Sequence, residues 1–171
     1  MKAVVLSSLL LAGQMLAQGQ NRIAEGQKFL YDMVKDYILR AADKMPEEMY
    51  SFRPTPEVRS FGQLLGHIAD AQYLFCSAVL EKPNPRPGIE KTKTSKSDLI
   101  QALKEAFAYC DAAYAGLTDE DLTKTVKFFG REQAKVTVLS FNTAHNNEHY
   151  GNIVTYLRMK GIVPPSSERQ R

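Results

Sequence analysis

The sequence lacks the features that mark several large functional classes. Its net charge is only +3 over 171 residues, with no concentrated basic face of the kind that nucleic acid requires. The densest basic stretch, Lys91-Thr-Lys93-Thr-Ser-Lys96, falls between predicted helices and reads as a solvated loop. No glycine-rich phosphate loop and no Cys-x-x-Cys-His haem-attachment motif occurs. No segment repeats and none is low in complexity. The most apolar run, residues 3–11, is far shorter than the roughly twenty residues needed to span a bilayer. These absences point away from nucleic acid and from stable membrane insertion. They leave a small molecule of unspecified kind as the expected partner, with a homodimer open.

What is present begins with an ordered amino terminus. Met1-Lys2 supplies a basic start, the apolar run follows, and small residues stand at Ala12, Gly13, Ala17 and Gly19. That is the order of a secretory signal. Cleavage after Gly19 places Ala17 at the third position back, whereas cleavage after Ala17 places the bulkier Met15 there, and both sites stay open. The expected division is a signal peptide over residues 1–19, a folded domain over 20–166 and a flexible tail over 167–171, with the polar end fraying from Ser166. The mature protein is then expected in the periplasm or outside the cell. Cys76 and Cys110 could pair in such an oxidising compartment. Both fall inside helical patterns, however, where free cysteine is a common core residue, so unpaired thiols are the expected state.

Apolar residues recur at intervals of three and four along most of the chain. Ile23, Leu30, Val34, Tyr37, Ile38 and Ala41 mark a helix over residues 22–42, and Phe61, Leu64, Leu65, Ile68, Leu74 and Ala78 a second over 60–81. Lys82-Pro-Asn-Pro-Arg-Pro-Gly88 stops the second helix. It opens a connection reaching to about Ser95, long enough for a crossover. Leu99, Leu103, Ala106, Phe107, Cys110 and Tyr114 mark a third helix, capped by Ser95 and closed by Gly116. Residues 118–121 suit a turn or short helix, and residues 126–138 a small irregular hairpin. A last helix covers residues 136–160 and ends at Gly161, ahead of Pro164-Pro165. Four helices of this length, with no convincing set of strands, predict an all-α four-helix bundle with a long crossover connection.

The chain has only three histidines. His145 and His149 stand four apart, so their rings leave the last helix on one face. They share a stripe with Val138, Phe141, Asn152 and Tyr156, while His67 shares one with Leu64, Ala71, Leu74 and Ala78. All three therefore face inward by periodicity. Burying three imidazoles together is costly unless each finds a polar partner. One divalent ion satisfies all three at about 2.0–2.1 Å per bond and keeps a coordination position open, as catalytic sites do. Zinc suits such ligands, and nickel, iron and manganese also accept imidazole. An ion so held would be lost to protons as pH falls through the ordinary histidine pKa of about 6.5.

Gln63 and Asp70, one turn either side of His67, and Asn142 and Asn152, flanking the pair, are candidates to orient an imidazole or touch substrate. Glu148 is turned away from both rings, so the segment is not the His-Glu-x-x-His arrangement of zinc proteases. No catalytic nucleophile or base can be assigned.

Arg59-Ser-Phe-Gly-Gln-Leu-Leu-Gly-His67-Ile-Ala-Asp70 resembles the second-helix motif of the DinB/YfiT-like superfamily. His145-Asn-Asn-Glu-His149-Tyr-Gly151, continuing to Tyr156-Leu-Arg-Met-Lys-Gly-Ile-Val-Pro-Pro165, resembles its closing motif. The similarity runs from about residue 22 to 166. It implies a bundle with an unusual crossover and a mononuclear site made by His67, His145 and His149. It also implies a metal-dependent enzyme, either a thiol-dependent transferase or isomerase or a hydrolase, without selecting a substrate. Export weighs against the thiol version, because the usual thiol cofactors are cytosolic. The alternative is a non-catalytic exported bundle that holds a metal or captures a ligand.

Overall fold

Helices form where the apolar spacing requires them. The computed structural model describes residues 21–168; the expected leader, residues 1–19, lies outside the described residues. Helix α1 spans Arg22–Lys44, α2 Phe61–Leu80, the short α3 Ile89–Thr92, α4 Lys96–Tyr114 and α5 Asp119–Thr123. A hairpin of β1 (Thr125–Phe128) and β2 (Arg131–Ala134) leads into α6, Lys135–Met159. Single 3-10 turns cover Glu47–Met49 and Pro165–Ser167. Helix α2 starts in a capping box: Ser60 Oγ accepts the Gln63 N–H at 3.2 Å, and Gln63 Oε1 accepts the Ser60 N–H at 2.9 Å. Ser95 caps α4 by accepting the Asp98 N–H at 3.1 Å.

Pairwise contacts fix the direction of each helix. Lys96, at the start of α4, donates to the Asp43 and Met45 carbonyls, and Tyr31 stacks on Tyr114, so α1 and α4 are antiparallel. Gly62 lies against Leu99 and Tyr73 against Tyr109, so α2 and α4 run parallel. Phe75 meets Phe141 and His67 meets His149, which makes α2 and α6 antiparallel. Ser140 reaches Gln27 and Tyr37 stacks on Tyr150, so α6 runs parallel to α1. The four long helices thus run up, down, down, up. Two consecutive parallel helices need a connection that returns along the bundle, and residues 81–95 supply it, as their length suggests.

The interior is filled by Tyr31, Ile38, Phe61, Leu65, Ile68, Leu103, Phe107, Leu139 and Ile153, all fully buried. Removing each from water stabilises the fold by about 1.5–3 kcal/mol. A polar layer crosses this core. Gln72 Nε2 donates to Asn142 Oδ1 at 2.9 Å and to Asn146 Oδ1 at 2.7 Å, while Asn142 Nδ2 donates to Gln72 Oε1 at 3.2 Å and Tyr114 Oη at 3.3 Å.

Several expectations are corrected. Cys76 and Cys110 are joined as a disulfide, with Cα atoms 5.2 Å apart. Periodicity places each on an inner face, but only the parallel register of α2 and α4 sets them opposite one another. Ile23, Leu30, Leu74 and Phe141, expected to face inward, are exposed. The buried arc of α1 is instead centred on Tyr31, Val34 and Ile38. The second hairpin strand is Arg131–Ala134, and residues 136–138 belong to the first turn of α6. Of the expected tail, residues 169–171 lie outside the described residues; before them, Ser166 accepts from Tyr150 Oη at 3.0 Å, and Glu168 pairs with Arg40 and Lys44.

Candidate metal centre

Antiparallel packing of α2 on α6 brings the three histidines to one point. His145 Nε2 lies 3.1 Å from His67 Nε2 and 3.0 Å from His149 Nε2, and all three ligand nitrogens lie within 4.8 Å of one another. A tetrahedral ion with bonds of about 2.0–2.1 Å separates its ligands by roughly 3.3 Å, which these spacings approach. A proton links two nitrogens well and leaves the third facing a bare lone pair. One cation satisfies all three, so the donor set fits a single metal ion.

The tautomer of His67 is set by a neighbour. Its Nδ1 lies 3.3 Å from Glu90 Oε2, and a nitrogen facing a carboxylate carries the proton. The Nε2 lone pair then points into the cluster. Glu90 Oε1 also accepts from Arg59 Nε at 2.9 Å, and the Arg59 carbonyl accepts from Tyr156 Oη at 2.8 Å. One line of polar contacts, two of them hydrogen bonds and the last the 3.3 Å approach of Glu90 to His67, therefore joins α6, the entry to α2, α3 and the first histidine. Among the described residues, the buried Nδ1 atoms of His145 and His149 have no hydrogen-bond partner. Their rings are fixed by packing instead, with Phe75 edge-on to His145 at 5.3 Å and His67 edge-on to His149 at 4.7 Å.

All three imidazoles are held neutral. Burial pushes His145 down to about 3, and the nearby His149 and His67 add to the effect. Burial likewise pushes His149 down to about 4. His67 is lowered by burial and then by Arg59, against the opposing pull of Glu90. Proton competition for this cluster therefore sets in well below the value near 6.5 that unperturbed histidine would give.

The structure assigns other work to most of the polar candidates. Gln63 is committed to the cap of α2. Asn142 is fully buried in the core network and contacts none of the three imidazoles through a hydrogen bond. Asp70 anchors α3: its carboxylate accepts the N–H groups of Gly88, Ile89 and Glu90 at 2.9, 2.8 and 2.9 Å. Asn152 is exposed and lines a polar depression of about 520 Å³ with His149, Arg59, Glu148 and Tyr156. It keeps its place as a substrate-contact candidate. The residue that sequence reasoning missed is Glu90. It sits on a four-residue helix too short to show periodicity, and its approach depends on Gly66, where a Cβ would stand 2.7 Å from the Glu90 Cα.

On the opposite side, His67 and His145 line a cavity of about 460 Å³ with Leu74, Phe75, Phe129 and Phe141. Three protein ligands and an adjoining cavity make an arrangement in which a bound ion keeps a position open to a small molecule.

A model of the DinB superfamily matches residues 30–153, a span that includes all three histidines. The uncharacterised protein YjoA of Bacillus subtilis is 28% identical over 133 residues, covering 76% of this chain and 86% of that one. Among solved structures, a DinB-like protein from Bacillus cereus superposes with a TM-score of 0.72 at 23% identity, over 82% of this chain and 95% of that chain. The structure of YjoA superposes with a TM-score of 0.66 at 22% identity, over 87% and 100%. At these identities the structures speak for the fold alone. With the bundle, its crossover and a family match over most of its length, the chain belongs to the DinB superfamily.

Proposed function

We propose that this protein is an exported metal-dependent enzyme acting on a small molecule, with one divalent ion held by His67, His145 and His149. The observation that supports this reading is the convergence of three neutral Nε2 atoms, 3.0 and 3.1 Å apart, at the wall of a cavity. Zinc suits an all-imidazole set of three with an open position, and nickel, iron and manganese are the alternatives. When bound, the ion supplies Lewis acidity, lowering the pKa of an oxygen or sulfur acid at its open position.

The chain's own residues prepare the site. The Glu90 carboxylate faces His67 Nδ1 at 3.3 Å and favours the tautomer whose Nε2 lone pair points into the cluster. Burial keeps His145 and His149 unprotonated. Phe75 packs edge-on against the His145 ring, and Phe141 stacks beside it. Among the described residues lining the cavity, the one carboxylate is Asp70, and its oxygens are engaged by three backbone N–H groups. With no free carboxylate base there, the chemistry that fits is activation of the nucleophile at the ion, as in hydrolysis or thiol transfer. The signal-like leader and the Cys76–Cys110 pair support an extracytoplasmic setting, and that setting favours hydrolysis.

Protein purified without chelator should carry about one divalent ion per chain, and His149→Ala should lose most of it. Elemental analysis that finds no metal, and no uptake on titration, would sink the proposal. Bound metal without chelator-sensitive turnover of ester, amide or thiol-transfer substrates would return the protein to a binding role.

A further inference from the structure

Large apolar side chains stand exposed around the cavity above His67 and His145. Phe129 is 67% exposed, Leu74 46% and Phe141 44%. Each would gain from burial, and together they line one open cavity of about 460 Å³. The depression on the other side, beside His149, is lined mainly by polar groups, so the two approaches to the cluster differ in chemistry.

Phe129 adds an independent observation. Phe128 pairs with Arg131, leaving Phe129 and Gly130 as a two-residue hairpin turn, and both have positive φ, 48° and 76°. This is the backbone of a type I′ turn, in which Asn, Asp or Gly is favoured at the first position. A phenylalanine there is strained, so local backbone preference does not explain its presence. Its ring lies 4.2 Å from Phe128, 6.0 Å from Phe141 and 6.2 Å from Phe75, centroid to centroid. Phe75 in turn stands edge-on to His145. The strained residue thus extends the aromatic wall outward from the metal ligands.

We infer that the small molecule carries an aromatic or branched hydrocarbon group that packs against Phe75, Phe129 and Phe141 while one of its donor atoms reaches the three-histidine cluster. The inference rests on the metal-centre reading above. The occupant is a small molecule rather than a second copy of the chain, because the cavity of about 460 Å³ has the size of a small-molecule site and includes His67 and His145 in its lining.

Two hydroxamates that differ only in their apolar part test it. Zinc-loaded protein, its metal content checked by elemental analysis, is titrated calorimetrically with acetohydroxamate and with benzohydroxamate. Burial of the ring should make benzohydroxamate bind about tenfold more tightly, or better. Phe129→Asn, which suits the turn and so keeps the hairpin, should bring the two affinities to within roughly threefold. Phe141→Ala should do the same. Equal affinities in the unaltered protein, a preference untouched by both substitutions, or binding of neither compound while zinc is retained would each overturn the inference. So would light scattering that shows a dimer dissociated by Phe129→Asn, since a second copy would then cover the cavity. Failure to hold zinc at all shows first in the elemental analysis and removes the metal reading together with this one.

Discussion

Two connections flank the histidine cluster, and they are built on opposite plans. The crossover of residues 81–95 is tied down at every level. Cys76–Cys110 closes the chain around it, Asp70 accepts three of its N–H groups, and Gly66 lets its backbone lie directly on α2. Its product is one oriented atom, the Glu90 oxygen that faces His67 Nδ1. The connection of residues 115–134 is anchored at its base, where Val126 is buried and the Lys135 N–H bonds the Lys124 carbonyl at 2.8 Å. At its tip it presents a strained, exposed phenylalanine. One connection presents a carboxylate to His67, and the other shapes the space beside it. Both lie within reach of a single histidine cluster, so altering one should change metal binding and altering the other should change the choice of ligand.

Among substitutions, the largest effect should come from opening the closed loop. The disulfide spans a sequence separation of 34 residues. Replacing both cysteines by alanine should lower unfolding free energy by about 3–4 kcal/mol, read as a shift in urea midpoint. A change below about 1 kcal/mol would mean that the crossover is held by its hydrogen bonds alone.

Acid, an effect of at least comparable size, tests whether burial governs the site. In metal-free protein, unfolded histidines take up protons near pH 6.5, whereas folded His149 and His145 resist until about pH 4 and 3. Between these values the unfolded chain binds more protons, so stability is intact above about pH 6.5 and falls as pH drops toward 4. For loaded protein, added chelator should still lower the melting temperature at pH 5. Circular dichroism melts that are already chelator-insensitive at pH 6 would show that the rings are solvated.

Two substitutions then separate packing from orientation within the crossover. Gly66→Ala gains about 1 kcal/mol in helix preference but drives a methyl into the Glu90 backbone, a clash worth about 1–3 kcal/mol. A net loss of stability and of metal affinity is expected. Glu90→Gln keeps the shape and removes the charge, so thermal stability should hold while metal affinity falls about tenfold. Unchanged affinity in a competition titration would remove Glu90 from its orienting role.

The smallest effect belongs to the hairpin. Phe129→Asn relieves a strained turn and should raise stability by up to about 1 kcal/mol, with metal affinity unchanged within error. A fall in the melting temperature would mean that ring packing on Phe128 outweighs backbone strain.

The helices and the histidine triad were legible in the sequence, because 3.6-residue periodicity and the four-residue step between His145 and His149 are local properties. Gly88 and the preceding prolines likewise marked the crossover by its length. The partners of the polar neighbours were not legible, for one reason. Gln63, Asp70 and Asn142 lie close to the histidines along the helix, but hydrogen-bonding reach is decided across helices. Asp70 turns toward the backbone of α3, and Asn142 toward Gln72 and Tyr114. Glu90 was missed by the same logic, standing 23 positions from His67 in the connection between two predicted helices.

By itself, the sequence determined an all-α bundle, a long return between the second and third long helices, and three inward-facing imidazoles. Each follows from the pitch of a helix and the incompatibility of proline with its interior. Tertiary structure alone decided which inner faces meet. Parallel packing of α2 and α4 joined Cys76 to Cys110, and antiparallel packing of α2 and α6 gathered three nitrogens within one ion's reach. The return of the chain along α2 delivered a carboxylate to His67. Helix periodicity specifies a direction around one axis, whereas a site needs the relative placement of two or three axes, and only packing supplies that.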